Sequence, residues 1–505
     1  MVKVSVAIPI YNASRHVKVT LDSLVNQTMS YDDFEILCIN DCSTDNSEEV
    51  IKSFEKQLPN LKLINRTENS GGPMIPRNDA IEAAHGEYIL FLDNDDFLGE
   101  ETLERFYNKA KAYHSDVIYG RYVGVNGRKV PQSMFKKGNL PQADIVKDNL
   151  VMGLAPHKMY RLGLLREHGL TFHPKAVVGE DQLFTMQCFI ESKVITVLSD
   201  YDYYYVVKRG DENLSLKYFP AEQFFFAFYR IMEYINERVQ SEERKRELRI
   251  AYLNRFFRAS RLRKYLLTNS VLNDEQKKLW LAEAQKFIDT HVSDIKDELN
   301  PEYHYFIQLV QENDLEKLLF IHRHLENLTA NDVSRIENGQ LFARFVKNED
   351  KREFDVEVNV THKNKSKVLL SGLSFGQAFF QLEGFFPQPL LTNYKLSYHL
   401  IAVHRETGFE CPFPSEPTDR EGSFRFTVNY LDLLIKDILI GPWDFFVEAK
   451  ADSYVSRRRL GSHRSVDIEL DPPIEGVELL GKTFTFKPYW TTPRNNLSLD
   501  IKKWD

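Results

Sequence analysis

Cysteine is scarce: four in 505 residues, Cys38, Cys42, Cys188 and Cys411, without zinc-site spacing or the density of a disulfide framework. Reduced thiols in a cytoplasmic setting are expected. No apolar run approaches the ~18 residues of a bilayer-spanning helix, so no transmembrane segment is expected. The opening Val-Lys-Val-Ser-Val-Ala-Ile-Pro is strand-like and has neither an apolar h-region nor a small-residue cleavage site. On that reading the sequons at Asn359 and Asn364 go unused. Positive charge is not in excess either: the net charge of −8 gives no global argument for nucleic acid. What remains is ordinary for a globular chain of two to four domains, 43% hydrophobic and 27% charged. Aromatics are plentiful, with 35 Phe and 24 Tyr, enough for large cores and for surfaces on which sugars stack.

The first ~120 residues alternate strand-like and helix-like stretches, the pattern of repeated β-α-β units with right-handed crossovers. Strands are expected at Val4 to Ile10, Phe34 to Ile39, Leu61 to Ile64, Tyr88 to Leu92 and Val117 to Val123. Helices are expected at His16 to Asn26, Ser47 to Gln57 with Ser47 as cap, Pro76 to Ala84 and Glu100 to Tyr113. The fold class is α/β, a doubly wound, mostly parallel sheet.

Chemistry-bearing residues fall at the carboxyl ends of these strands, where open α/β sheets bind ligands. Pro9, Tyr11 and Asn12 end the first strand; Asn40 and Asp41 end the second; Asn69, Gly71 and Gly72 follow the third. The fourth strand runs Tyr-Ile-Leu-Phe-Leu and then turns acidic at Asp93, Asn94, Asp95 and Asp96. Clustered carboxylates at a rim suit Mg²⁺ or Mn²⁺, which take one or two carboxylates together with substrate phosphates. An acidic turn leading into a helix is the alternative. In a nucleotide site Tyr11 could cover a base and Asp41 could accept a uracil N3–H. Arg77 sits near a helix N-terminus, where a cation needs compensation from a diphosphate or from Asp79 or Glu82.

Further on, Asn126-Gly127 signals a tight turn, and Gln132 and Ser133 are polar groups suited to a hydroxyl-rich ligand or to a plain surface hairpin. Glu180 and Asp181 open a helix whose dipole favours negative charge. They are ordinary first-turn acids or, functionally, a carboxylate aimed as a general base. The stretch Tyr203 to Ser215 reads as a flexible loop whose Lys208 and Arg209 could close over phosphates, or as a solvated turn. Residues 219 to 340 read as helical throughout. There Arg255, Arg258 and Arg261 recur every third residue, a solvated face or a track for a polyanion. From about residue 342 short alternating strands predict one β-sandwich, or two cramped ones, suited to binding or assembly.

The strings Pro9-Ile10-Tyr11-Asn12, Asn40-Asp41-Cys42-Ser43-Thr44-Asp45, Asp93-Asn94-Asp95 and Glu180-Asp181 resemble those of family 2 inverting glycosyltransferases with a GT-A type fold. Asn69 to Pro73, Val125 to Phe135 and Glu180 to Met186 more narrowly resemble wall teichoic acid poly(ribitol-phosphate) β-N-acetylglucosaminyltransferases. The resemblance implies a GT-A catalytic domain over 1–218, a helical region over 219–341 that completes the acceptor site, and a β-sandwich over 342–505 for oligomerisation or glycan binding. It implies transfer of GlcNAc, or alternatively glucose, from a UDP-sugar to an anionic teichoic acid polymer, with Mg²⁺ or Mn²⁺. Donor binding would fall to Pro9, Tyr11, Asp41, Asn69, Arg77, Asp93, Asn94, Asp95 and Arg209, with Asp95 and Asp93 at the metal. Asp181 would be the base with Glu180 beside it, and Gln132, Ser133, Arg255, Arg258 and Arg261 would meet the acceptor. The β-rich tail is similar to a trimerising tail, so a homo-oligomer is implied. Asn40 stands where the motif carries Asp. A nucleotidyltransferase would need a Gly-rich loop after the first strand, and a processive synthase would carry membrane helices and Gln-x-x-Arg-Trp; neither feature occurs. A non-catalytic glycan-binding scaffold is the rival of another class.

Overall fold

The structure, a computed structural model, describes residues 2–208, 218–259, 261–268, 272–349, 352–434, 440–470, 472–479, 481–492 and 494–503. The chain divides into two compact units. The first comprises Met1–Leu299 with Ile307–Leu315, the second Asn300–Phe306 with Glu316–Asp505.

The first unit begins with β1 (Val4–Ile10), α1 (Val17–Val25), β2 (Phe34–Asn40), α2 (Ser47–Lys52), β3 (Leu61–Asn65), α3 (Met74–Ala83) and β4 (Tyr88–Phe91). It continues with β5 (Phe97–Leu98), α4 (Thr102–Tyr113), β6 (Val117–Val125), β7 (Met159–Arg161), α5 (Leu162–Glu167), α6 (Glu180–Glu191) and β8 (Ile195–Val207). The strands form one eight-stranded sheet in the order β3-β2-β1-β4-β7-β6-β8-β5. β1 and β4 are apolar but for Ser5, whose hydroxyl donates to Glu35, and buried throughout, as strands covered on both faces must be. Parallel register sets Ile10 beside Asn40 and Asn40 beside Asn65, while Ala7 lies beside Phe91. The carboxyl ends of β1 to β4 therefore meet at one edge. The chain leaves β1 toward β2 and β3 and then returns to the other flank of β1 as β4. That reversal of strand order opens a crevice between the ends of β1 and β4.

Beyond β4 the sheet is mixed. β7 pairs antiparallel with both β4 and β6, so β6 is reached through an intervening short strand rather than a further parallel β-α-β step. β8 is parallel to β6, and β5 antiparallel to β8. Tyr203 to Val207, expected in a flexible loop, belong to β8: the aromatic run packs inward, with Tyr203 stacked on Phe106 and Tyr205 on Phe97. Ser47 is the first residue of α2 rather than its cap, and its hydroxyl accepts the amide of Ala13 at 2.7 Å instead. The expected turn is present, with Asn126 and Gly127 both at positive φ, and Arg128 donates back to the Val125 carbonyl at 3.1 Å.

Helices α7 (Ala221–Arg238), α8 (Glu242–Ala259), α9 (Arg261–Leu267), α10 (Asp274–His291), α11 (His304–Gln311) and α12 (Leu315–Glu326) follow. Phe224, Phe225 and Phe228 of α7 pack with Phe256 of α8 and with Trp280 and Phe287 of α10. Expected helix throughout 219–340 gives way earlier than that. β9 (Val333–Glu337) and β10 (Gln340–Glu349) form, with β11 (Arg352–Asn359), a small antiparallel sheet. The alternating residues of β9 and β10 bury Val333, Leu341, Ala343 and Phe345, which a two-residue period delivers and a helical one does not.

In the second unit β12 (Leu369–Phe375), β13 (Phe379–Phe385), β14 (Ser397–His404), β15 (Glu410–Pro414) and β16 (Ser423–Asn429) are followed by the short α13 (Tyr430–Leu433). β17 (Gly441–Ala451), β18 (Tyr454–Arg459), β19 (Ile474–Leu479), β20 (Lys482–Trp490) and β21 (Leu497–Lys503) complete it. β12, β13 and β16 make a three-stranded sheet, and β14, β15 and β17 to β21 a seven-stranded one. Leu370, Phe380 and Phe426 of the first interdigitate with Leu400, Phe445, Val447 and Phe486 of the second in one apolar core. The tail is thus a single sandwich with the small β9–β11 sheet beside it in sequence.

Candidate active site

The crevice between β1 and β4 is a cavity of about 540 Å³ lined by Pro9, Tyr11, Asp41, Asn69, Gly71, Arg77, Asp93, Asn94 and Asp95, among others. Most of the lining is set by strand ends and the turns after them, and Arg77 by the first turn of α3. Asn94 donates to the Pro9 carbonyl at 2.7 Å and ties the end of β4 to the end of β1. Tyr11 stands 52% exposed over the mouth, a ring with an open face. Asp41 is 2% exposed and accepts from Ser70 at both its amide, 3.0 Å, and its hydroxyl, 2.8 Å. Arg66 lies 3.0 Å from the same carboxylate. Asp41 therefore orders the 69–72 loop against β2, and a uracil N3–H would share oxygens already engaged. Asn69 closes the same knot by donating to the Asp41 carbonyl at 2.8 Å.

Arg77 pairs with neither Asp79 nor Glu82. Only 5% exposed, it donates to Asp93 Oδ1 at 2.8 Å, lies 3.7 Å from Glu180 Oε1 and rests over the ring of Phe172. Asp79 is taken by Arg66. The other oxygen of Asp93 is 2.9 Å from Nε2 of His157, whose ring stacks on Tyr204 with centroids 4.4 Å apart. His157 Nε2 is also 4.0 Å from Asp96, and Asp96 accepts the Val207 amide at 2.8 Å. Burial alone raises a carboxyl, but His157 and Arg77 outweigh it and hold Asp93 well below the usual carboxylate range. Asp96 is pushed the other way: burial, opposed by His157 and reinforced by Asp93 and Asp95, takes it up to about 7. Ligand atoms of Asp93, Asp96 and His157 lie within 4.8 Å of one another. Carboxylates with one imidazole are a donor set that fits Mn²⁺ or Mg²⁺.

A second cavity, about 360 Å³, shares Gly71, Gly72 and Pro73 with the first. Its floor is the start of α6, Glu180, Asp181 and Gln182; Phe224 and Phe228 of α7 and Arg255 and Phe256 of α8 also line it. Gly179 caps α6 at φ 79°, a conformation that costs glycine little, and so turns the first-turn acids into this cavity. Asp181 Oδ1 accepts the Gln182 amide at 2.8 Å. Burial and the neighbouring Asp181 push Glu180 up to about 7, against the pull of Arg77. Arg255 donates to Gln182 Oε1 at 2.6 Å.

The other expected positions lie apart from this arrangement. Gln132 donates to the Tyr122 carbonyl, Ser133 begins a short 3-10 turn, and neither lines either cavity. Arg258 is exposed on α8 outside both linings. Arg209 lies outside the described residues, as does the side chain of Arg261. His157, Arg66 and Gln182 escaped sequence reasoning. Their partners are 64, 25 and 73 positions away, so no local pattern marks them. Asp96 had a signal, its place in the acidic cluster. The buried Lys158 had none. It donates to the carbonyls of Gly153 at 2.6 Å and Ala155 at 2.5 Å, bracing the segment that presents His157, and burial pushes it down to about 7.

The chain resembles known proteins along its length. Residues 5–169 match the glycosyl transferase family 2 domain, 221–321 the glycosyl transferase TarS linker domain, and 355–501 the TarS beta-glycosyltransferase C-terminal domain 1. The chain is 36% identical to a poly(ribitol-phosphate) beta-glucosyltransferase of Bacillus spizizenii, over 99% of this chain and 78% of that one. It is 28% identical to the poly(ribitol-phosphate) beta-N-acetylglucosaminyltransferase TarS of Staphylococcus aureus, over 99% of this chain and 85% of that one. The crystal structure of S. aureus TarS 1–349 in complex with UDP-GlcNAc superposes with a TM-score of 0.63 at 31% identity, covering 70% of this chain and 99% of that one.

Proposed function

Because the chain belongs to the family of the poly(ribitol-phosphate) glycosyltransferases, we propose that it moves a hexose from a UDP-sugar to a hydroxyl of poly(ribitol-phosphate) with inversion, giving a β linkage. The observation that supports this best is the common wall of Gly71, Gly72 and Pro73. A donor in the crevice and a polyol over α6 would face each other across it, with Arg77 touching the acids of both cavities.

In this reading Tyr11 covers the base, Asp41 and Asn69 hold the uridine, and the fixed Asp93–Arg77 pair orients the donor sugar. Asp95 and Asp93, with Asp96 and His157 adjacent, would hold Mg²⁺ or Mn²⁺, which neutralises the diphosphate when bound. Asp181 takes the proton of the ribitol hydroxyl at a carboxylate oxygen. The alcohol oxygen bonds to the anomeric carbon as the bond to UDP breaks, and UDP leaves with the electron pair. The aromatic wall of Phe224, Phe228 and Phe256 keeps water from competing. Arg255, fixed by Gln182, offers a guanidinium to the neighbouring phosphodiester. Among the described residues no helix is long and apolar enough to cross a membrane, which suits work at the inner face of one on a lipid-borne acceptor. A homo-oligomer, a trimer by the family resemblance, completes the proposal.

The hexose is where the relatives divide. GlcNAc is the sugar expected from the sequence motifs, and the complex with UDP-GlcNAc supports it. Glucose is the second reading, favoured by the higher identity to the glucosyltransferase. A panel of UDP-sugars against purified poly(ribitol-phosphate), with the linkage assigned by NMR, tests both. Turnover of neither UDP-GlcNAc nor UDP-glucose would overturn the proposal.

A further inference from the structure

Asp93 is held at three points, and two of them come from one stacked pair of rings. β4 ends at Phe91, and Leu92 makes the last backbone bond to β1, donating to the Ala7 carbonyl at 3.0 Å. Asp93 lies past the ladder, where a carboxylate left to itself turns about two torsions. Side chains take over there. Arg77 donates to Oδ1 at 2.8 Å, His157 Nε2 donates to Oδ2 at 2.9 Å, and the Asp93 amide donates to the Tyr204 hydroxyl at 3.1 Å. His157 and Tyr204 act as a unit, their rings 8° from parallel with centroids 4.4 Å apart. His157 precedes β7 and Tyr204 lies in β8, so neither belongs to the strand that carries Asp93.

His157 is fixed in turn. Tyr122 of β6 donates to its carbonyl at 3.4 Å and meets its ring edge-on. The next residue, Lys158, is wholly buried, yet it forms no ion pair among the described residues. Its Nζ donates to the Gly153 and Ala155 carbonyls and to the Tyr122 hydroxyl, and it lies 4.7 Å from the centre of the Tyr119 ring. Its amide closes a tight turn on the Pro156 carbonyl at 2.6 Å. Burying a lysine without a carboxylate carries a penalty that an apolar side chain packed on Tyr119 and Phe189 would not. What the lysine alone supplies is three hydrogen bonds, which tie the backbone at 153 and 155 to β6 and set the turn that aims His157 at Asp93.

We propose that His157, stacked on Tyr204 and aimed by the Lys158 turn, is a positioning residue for hexosyl transfer that locks the Asp93 carboxylate in the orientation that grips the donor sugar. The inference rests on the donor reading given above. Arg77 by itself leaves the carboxylate able to swing about its Oδ1 contact. The bond from His157 removes that freedom, so sugar hydroxyls meet acceptors already in place. A loosely held sugar is also open to water, and the clamp therefore favours transfer to the polymer over hydrolysis of the donor.

The test compares His157→Phe, which keeps the stack and removes the nitrogen, with His157→Gln, which restores a donor to Asp93 without the stack. On the full chain, UDP-hexose affinity is measured with Mn²⁺ and no acceptor, UDP affinity in EDTA, Tm by thermal unfolding, and glycosylated polymer against free hexose. His157→Phe should bind UDP-hexose roughly 10- to 100-fold more weakly and release more free hexose per transfer. Its UDP affinity in EDTA should be unchanged, because Tyr11, Asp41 and Asn69 are untouched. His157→Gln should recover part of the loss. A Tm drop shared by both variants, with UDP-hexose affinity and free-hexose release as in wild type, would show a merely structural role and overturn the proposal. Where His157→Phe does not fold, Tyr204→Phe decides by the same comparison, since it keeps the stack and removes the acceptor of the Asp93 amide. Wild type that binds UDP-hexose yet never glycosylates poly(ribitol-phosphate) would overturn the proposed function, and the binding comparison would still decide the clamp.

Discussion

The catalytic rim and the C-terminal sandwich hold charge in opposite ways. At the rim, Asp93 is fixed from both sides by Arg77 and His157, Asp41 by Ser70 and Arg66, and Arg77 reaches on to Glu180. On the sandwich, Lys367, Arg458 and Arg494 stand exposed and form no ion pair among the described residues, whereas Arg459 beside them is paired with Asp444. Buried, mutually paired groups are preorganised, which chemistry needs, and costly to break. Exposed, unpaired cations are solvated, so removing one strands no partner. Single changes at the rim should therefore be severe, and changes at Lys367, Arg458 or Arg494 small.

The largest effect is expected at the base. Asp181→Asn should lower kcat by roughly 10²–10⁴-fold while UDP affinity is retained, measured by steady-state turnover and calorimetry. Near-normal turnover would remove Asp181 from its role. Next comes Arg77→Ala, which strands Asp93 and Glu180 and should cost about 3–5 kcal/mol of stability, read by denaturant unfolding. A stability change as small as that of Arg494→Ala would erase the distinction between the two regions. Arg255→Ala should raise KM for polymeric acceptor roughly tenfold, the worth of a charge-assisted hydrogen bond, with a lesser effect on kcat. A kcat loss with KM unchanged would place Arg255 at the reacting atoms instead of on the polymer.

The smallest effect is a matter of slope. Glu180 binds its proton more tightly folded, at about 7, than at its ordinary 4.5. Its contribution to stability is then complete below about 4.5 and is lost as pH rises toward 7, where the folded form must ionise a carboxyl it prefers neutral. Glu180→Gln should therefore show a flatter fall of Tm across that window than wild type. Parallel Tm curves for the two would contradict the environment described for Glu180.

Most of the rim was legible because strand periodicity announces where strands end, and residues there inherit a shared edge from parallel register. Pro9, Tyr11, Asp41, Asp93 and Asp95 line one cavity for that reason. Glu180 and Asp181 were marked by their place at a helix start, yet nothing local placed that start across Gly71–Pro73 from the donor crevice. Of the compensations expected for Arg77, a diphosphate or the helix neighbours Asp79 and Glu82, the helix neighbours do not supply it; the fold brings Asp93 and Glu180 to it from distant positions. β7 was hidden by its length: three residues, Met159–Arg161, carry no period to read, and they convert an expected parallel succession into a mixed sheet. The buried setting of Ser456 was hidden for a similar reason. Ser456 looks like a solvent-facing position until the pairing of β18 with β17 sets it opposite Ala449 on the core side.

The anomeric configuration of the product is the most direct measure of whether these side chains form one transfer site. The purified chain, given an α-linked UDP-hexose and poly(ribitol-phosphate), should yield β-linked hexose on the ribitol, seen as a large anomeric proton coupling in the NMR spectrum. An α-linked product, or free hexose with no glycosylated polymer, would contradict direct displacement by a hydroxyl that Asp181 deprotonates.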